Sequence, residues 1–236
     1  TRKRLVEARV AEDGVPMLYL NQVGGQDELV FDGASFAIEP GKGLVLQGRS
    51  FETDLILSDW QRGEGGWTCT SGTVNDLPSA DEATWLAAML GLRDYVHKNG
   101  FRQVVLGLSG GIDSAVVAAI AVDALGADNV HCIMLPYRYT SEASIQDARD
   151  CATRLGVRYD VVSIGKPVDE TLAELAPIFE DRPADLTEEN IQSRMRGTVL
   201  MAVSNKLGSM LLTTGNKSEM GVGYATIYGD MNGGYN

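Results

Sequence analysis

Cysteine is scarce in this sequence of 236 residues: Cys69, Cys132 and Cys151 are odd in number, far apart and without a Cys-x-x-Cys pair. That excludes a disulfide scaffold and a thiolate metal framework, and it fits a reducing compartment, so inert thiols and a cytoplasmic location are expected. Long apolar runs are missing too. The longest apolar helical stretch, Ala115 to Leu125, is interrupted by Asp123 and falls short of the ~20 residues that a membrane span needs. No secretory pattern opens the chain, where Thr1-Arg2-Lys3-Arg4 runs into the mixed Leu5-Val6-Glu7-Ala8-Arg9. Positive charge is in deficit, with 20 Lys and Arg against 32 Asp and Glu and a formal net charge of −12. Nucleic acid and anionic membrane surfaces would meet net repulsion, so neither is expected as a partner. A small anionic ligand stays open where local cations and N–H groups offset the field. What is there, 44% hydrophobic and 22% charged residues, is ordinary for a globular protein with one full core and a smaller second unit.

One further absence is local. The apolar run Val104-Val105-Leu106-Gly107-Leu108 meets Ser109-Gly110-Gly111-Ile112-Asp113-Ser114 and then the helix-forming Ala115 to Ala121. This predicts a buried strand, a tight glycine turn and a helix. Glycines let several N–H groups converge on one point, and the start of the helix adds partial positive charge, so a polyphosphate fits there. Ser109 and Ser114 offer hydroxyl donors, and Asp113 is placed to hold a divalent cation against phosphate oxygens. The lysine that a Walker-type loop delivers to the β- and γ-phosphates is missing, and an acid stands in the turn, which points to cleavage between the α- and β-phosphates. The bland alternative is an ordinary strand-to-helix connection.

Along the chain, residues 2 to 12 predict a helix and Met17 to Leu20 a strand. Asn21 to Glu28 reads as a polar turn, and Leu29 to Phe31 with Ser35 to Ile38 as a hairpin around Asp32-Gly33. Leu44 to Leu46 and Leu55 to Leu57 read as short strands, too few to bury both faces of a sheet, so this part is expected to be the tail of a larger domain. Asp59 to Asp81 has linker composition and carries the expected boundary, with domains at 1–75 and 76–236.

A helix from Asp81 leads into the strand at Val104 to Leu108; that strand, the helix after the turn, a strand at Val130 to Leu135, a helix from Ser141 stopped by Gly156 and a strand at Arg158 to Ile164 give β-α-β-α-β order, the signature of an α/β doubly wound parallel sheet. Ligands of such sheets bind beyond the carboxyl ends of the strands, so a purine is expected near Leu135 and Pro136. His131 and His97 read as structural. Glu170 to Phe179 predicts a helix and the Pro-rich stretch after it a loop. A long helix then runs to Lys206, capped by Thr187, with Asn190 and Arg194 on one face. A strand at Ser209 to Thr214 ends in Gly215-Asn216-Lys217-Ser218-Glu219, bringing the Thr214 hydroxyl and the Glu219 carboxylate to the same crevice. The glycine-rich Tyr228 to Asn236 reads as a loop with no closing element, so both ends look cut.

Gly107 to Ser114 resembles the PP-loop of the N-type ATP pyrophosphatases, with the adenine nucleotide alpha-hydrolase-like fold. Leu135 to Ser141, Glu188 to Gly197 and Thr213 to Glu219 narrow the resemblance to glutamine-dependent NAD synthetases, and Tyr19 to Gly33 resembles the end of that family's nitrilase-like glutaminase domain, an α+β sandwich. The resemblance implies that Gly107, Leu108, Ser109, Gly110, Gly111, Ile112, Asp113, Ser114 and Thr214 bind ATP. It implies that Asn190, Arg194, Glu219 and Tyr224 line the deamido-NAD site, and that Asp113 and Glu219 hold Mg2+.

By the same resemblance the reaction amidates deamido-NAD to NAD through an adenylated intermediate. The expected partners are small molecules, namely ATP, deamido-NAD and glutamine or ammonia, in a homo-oligomer. The glutaminase Glu, Lys and Cys are expected upstream of Thr1, so this chain carries no side-chain nucleophile for glutamine and is expected to be impaired by itself. The rivals are another amidotransferase of the group, such as a GMP synthetase, and a nucleotide-binding module without turnover.

Overall fold

The computed structural model describes residues 2–229 and Gly233. It divides into two compact units, Thr1–Tyr95 and Val96–Asn236.

In the first unit, helix α1 (Arg2–Asp13) lays Val6 and Val10 on Phe36 and Ile38 of strand β4 (Phe36–Glu39). That strand is central in an antiparallel sheet between β1 (Met17–Tyr19) and β5 (Gly43–Gln47), and all four of its residues are buried. The hairpin falls elsewhere than expected. Val23–Gln26 (β2) pairs with Leu29–Asp32 (β3) around Asp27-Glu28, whereas Phe36–Glu39 joins the three-stranded sheet. Asp32-Gly33 does turn, with Gly33 at φ +64° and Ala34 at +52°, but it passes the chain from one sheet to another. Gly24 and Gly25 hid β2 from a pattern that looks for β-branched residues.

Leu55 to Leu57 forms no strand. Asp54 Oδ2 accepts from the Arg49 amide at 3.1 Å and Ile56 folds onto Gly48, leaving Leu55 and Leu57 exposed. The glycine-rich stretch from Asp59 is likewise structured. β6 (Asp59–Gly63) and β7 (Gly66–Ser71) form a hairpin in which the strand formers Trp60, Trp67, Thr68 and Thr70 outweigh the glycines. The buried Glu39 carboxylate accepts from the Cys69 amide at 2.8 Å and fastens it. Helix α2 (Ala80–Lys98) comes next, with Asp81 and Glu82 in its first turn.

The second unit is a parallel sheet, β10-β9-β8-β11, built from β8 (Val104–Gly107), β9 (Val130–Met134), β10 (Arg158–Val161) and β11 (Met210–Leu212). Strands buried on both faces need unbroken apolar sequence, which Val104-Val105-Leu106 and Met210-Leu211-Leu212 supply. One face is covered by α5 (Gly165–Phe179) and α6 (Leu186–Leu207), which set Val168, Leu172, Ile191, Met195 and Val199 against Val105, Ile133 and Leu211. The other carries α3 (Ile112–Leu125) and α4 (Glu142–Leu155), whose buried Ala118, Ala121, Ala148 and Ala152 permit close approach. The doubly wound parallel sheet is therefore the fold of this unit.

Two local expectations change. α5 begins at Gly165 rather than Glu170. The α6 cap is Asp185, whose side chain accepts from the Thr187 amide at 2.7 Å while Glu188 Oε2 accepts from the Asp185 amide at 2.8 Å, a capping box that leaves Thr187 inside the helix. Lys217–Val222, read from the sequence only as part of a polar cluster, is a short helix, α7. The glycine-rich loop expected at the chain's end falls largely outside the described residues.

Candidate active site

Strand β8 continues straight into the turn. Leu108 is buried, and its amide still reaches the neighbouring strand, donating to Ile133 O at 2.9 Å. Gly110 then takes φ +83°, and a Cβ there would stand 2.3 Å from the carbonyl oxygen of Ser144 in the first turn of α4. Both demands select glycine. The Ser109 amide donates to Ser114 Oγ at 3.2 Å, the Gly111 amide donates to Ser109 Oγ at 3.2 Å, and Ser114 Oγ donates to Gly111 O at 3.1 Å. The buried Ser114 hydroxyl therefore braces the loop from inside.

The result is a helix whose start is left open. α4, α6 and α7 are each capped by a side chain, from Ser141, Asp185 and Asn216, whereas α3, from Gly111, and α5, from Ile164, have no side-chain cap, and of these two only α3 follows a glycine turn at a strand's carboxyl end. The first-turn N–H groups of α3 thus face outward with the helix's partial positive charge, which suits an anion. Ile112 and Asp113 are exposed beside them.

β11 pairs with β8 in the register Met210↔Val104 to Leu212↔Leu106, so the carboxyl ends of these strands are neighbours. Half-buried Thr214 succeeds β11 as Ser109 succeeds β8. Beyond it, Asn216 accepts from the amides of Ser218 and Glu219 at 3.0 Å each, and Glu219 Oε2 accepts from the Asn216 amide at 3.0 Å. One carboxylate oxygen of Glu219 thus holds the cap. The Tyr224 amide donates to Glu219 O at 2.9 Å, and its side chain is 73% exposed.

On α6, Asn190 Oδ1 accepts from Thr226 Oγ1 at 3.1 Å, and Arg194 Nε donates to Ile227 O at 3.2 Å. Gly229 sits so close that a Cβ would lie 2.2 Å from Ser193 Oγ. Asn190 and Arg194 do share a face, and the segment 226–229 lies across it.

Among the described residues no group of three or more His, Cys, Asp or Glu is assembled around one point. Mg2+ asks for less: it binds through one or two carboxylates together with substrate phosphates and keeps several waters. The hard carboxylate oxygens of Asp113 and Glu219 fit that requirement.

Sequence reasoning missed the contribution of Ser144 and a cluster on the loop after β9. Tyr137 Oη donates to Asp169 Oδ1 at 2.8 Å, Arg138 pairs with the same carboxylate, and the Arg138 guanidinium lies 4.9 Å from the Tyr137 ring centre. The Tyr137 hydroxyl first, and Arg138 second, hold the Asp169 carboxyl below its usual range. The signal was present in Leu135 to Ser141, but the partner acid lies on α5, out of reach of spacing arguments. Leu135 is part of the core and its carbonyl accepts from Arg196 Nε at 3.3 Å, so of the two residues expected near a purine only Pro136 is partly accessible.

His131 is structural, as expected. Its Nε2 pairs with Asp160 Oδ2 at 2.8 Å across β9 and β10, burial pushes the imidazole pKa down, and the bond to His131 lowers that of Asp160. Burial drives the Cys132 thiol up to about 12, which keeps it inert. Two cavities of about 340 and 350 Å3 lie in the first unit, and none of the candidate residues lines them. No helix among the described residues is long and apolar enough to cross a membrane.

The NAD synthase family matches residues 84–236. The chain is 55% identical over 235 residues to the glutamine-dependent NAD(+) synthetase of Rhodobacter capsulatus, covering 100% of this chain and 43% of that protein. The structure of the glutamine-dependent NAD+ synthetase of Acinetobacter baumannii in complex with ADP superimposes with a TM-score of 0.94 at 44% identity, over 99% of this chain and 44% of that one. The NH3-dependent NAD synthetase of Campylobacter jejuni aligns over 67% of both chains, with a TM-score of 0.61 and 29% identity. The chain spans less than half the length of the curated relatives it matches. With a matching family model over most of its length, and with the open α3 turn on a doubly wound sheet, this chain belongs to the NAD synthase family.

Proposed function

We propose that the crevice beyond β8 and β11 binds ATP and deamido-NAD and amidates the latter to NAD. The observation that carries this reading is the uncapped start of α3, shaped by Gly110 and braced from within by Ser114. The triphosphate lies against the α3 amides, with Ser109 and Thr214 as hydroxyl donors and Asp113 and Glu219 as holders of Mg2+, which offsets phosphate charge when bound. A carboxylate is a poor electrophile, so the nicotinate carboxylate attacks the α-phosphorus and the bond to the β-phosphate breaks, releasing pyrophosphate. Ammonia then attacks the acyl carbon of the mixed anhydride and AMP leaves. Positioning and charge stabilisation do the catalysis, and no side-chain nucleophile is needed. Asn190, Arg194 and Tyr224, on or beside the contact of α6 with 226–229, orient the dinucleotide.

We assign residues 1–75 to the end of a nitrilase-like glutaminase domain with its linker, and 76–236 to the synthetase domain. The start of the family match at residue 84 supports that division. In a protein of the relatives' full length, glutamine supplies the ammonia, in a cytoplasmic homo-oligomer.

The test is NAD formation by that full-length protein with ATP, deamido-NAD and either glutamine or ammonium. The expected result is one AMP and one pyrophosphate per NAD. ATP binding without adenylation of deamido-NAD would replace this reading with that of a binding module.

A further inference from the structure

The loop from Pro136 to Ser141 joins β9 to α4, and it is fastened at its start, its middle and its end. At the start the Ile164 amide donates to Pro136 O at 3.1 Å. At the end Ser141 caps α4, its Oγ accepting from the Ser144 amide at 3.1 Å. The middle depends on an acid from another element. Asp169, in α5, accepts from Tyr137 Oη at 2.8 Å and pairs with Arg138. The Tyr137 ring belongs to the core beside Ile164 and Val168, and burial first, the Asp169 bond second, push its hydroxyl's pKa up, so it stays a donor. The Arg138 guanidinium lies 4.9 Å from the Tyr137 ring centre and 5.9 Å from that of Tyr139. The Tyr137 amide donates to Thr140 Oγ1 at 3.0 Å and the Thr140 amide to Tyr137 O at 2.9 Å, which closes the turn that delivers Ser141.

Stability does not explain this arrangement. The side chains of the Arg138–Asp169 pair are 55% and 50% exposed, and an ion pair open to water contributes little. What the cluster fixes is the path of the loop, and the loop ends where the phosphate turn is shaped. Ser144 O, in the first turn of α4, is the atom that stands 2.3 Å from a Cβ built on Gly110.

We propose that Asp169 is a positioning residue for ATP, an inference that rests on the amidation reading: by holding Tyr137 and Arg138 it seats the start of α4 against Gly110 and keeps the phosphate turn in its binding shape. Asp169 touches no substrate. Without its carboxylate the Tyr137 hydroxyl loses its acceptor and Arg138 its partner, the first turn of α4 shifts, and the α3 amides no longer converge on one anion. The loss falls on ATP, whose phosphates those amides meet, and not on the chemical step once ATP is seated.

The experiment uses a protein of the relatives' full length carrying this sequence, supplied with saturating ammonium so that amidation alone is read. Asp169→Ala, Tyr137→Phe and the double variant are compared with the wild type. Tyr137→Phe removes a single hydroxyl and decides the matter if the alanine variant fails to fold. The expected result is a KM for ATP raised about fivefold or more by Asp169→Ala and about threefold by Tyr137→Phe, with kcat and the KM for deamido-NAD within about twofold. The double variant is expected to be no worse than Asp169→Ala, because both substitutions break the same bond. An unchanged KM for ATP, a fall in kcat at unchanged KM such as a smaller folded fraction gives, or effects of the two substitutions that simply multiply, each overturns the positioning role. A wild type that makes no NAD from ammonium overturns the amidation reading instead.

Discussion

Gly110 and Gly25 are pressed against other backbone in the same way and serve opposite ends. At Gly110 the near contact with Ser144 bends the chain so that the α3 amides are left open, and the open amides are where a ligand belongs. At Gly25 the near contact is with Gly91, and the Gly25 amide is already taken by the Asp94 carboxylate. The difference lies in what surrounds each glycine. The first ends a strand buried on both faces in a parallel sheet, which fixes its carboxyl end; the second sits in a two-stranded ribbon that gains its rigidity by leaning on a helix. A tight glycine contact thus marks a site only where it uncovers polar groups.

The strongest way to break that contrast is Gly110→Ala. The added Cβ must displace the α4 backbone and sit at positive φ, so ATP affinity and NAD formation in the full-length protein are expected to drop on the order of a hundredfold, read by titration and by turnover. Leu106→Ala probes the support beneath the turn. Leu106 is fully buried, and truncation is expected to destabilise the second unit by about 2–5 kcal/mol in denaturant unfolding. Removing a cap that is present is milder: Ser141→Ala loses the bond from the Ser144 amide and is expected to cost about 1 kcal/mol, with a smaller effect on ATP affinity than Gly110→Ala.

The smallest expected effect is on pH dependence. His131 has its folded pKa lowered by burial, and its Nδ1 is buried without an acceptor among the described residues, so a second ring proton is resisted. Below about pH 6.5 the unfolded chain takes up a proton that the folded one refuses, and stability falls with acidification. Asp160, also lowered, adds a loss of the same sign at lower pH, as pH drops through its folded value. His131→Gln is expected to flatten the melting temperature between pH 8 and 5 relative to the wild type.

The second unit was legible because its signals are local and mutually consistent. Continuous apolar strands, Gly110-Gly111 and the capped helices each specify one structure, and the parallel order comes from the alternation of strands and helices. The first unit was misread where tertiary contact overrides local preference. Gly24-Gly25 becomes a strand because α2 lies against it, and Asp59 to Ser71 becomes a hairpin held by Glu39, thirty residues before Cys69. In the site, the residue types of the turn and of α6 could be read from sequence. The inward use of the Ser114 hydroxyl, the Asn190–Thr226 bond and the Asp169 partner of Arg138 depend on side-chain direction and distant chain, which periodicity does not encode.

The most direct measurement of the central claim is the affinity for ATP in the presence of Mg2+, titrated into the full-length protein and its Asp113→Asn variant, with NAD formation monitored in the same samples. Affinity is expected to weaken at least about tenfold in the variant, with NAD formation lost alongside. Unchanged affinity together with unchanged NAD formation would contradict that claim.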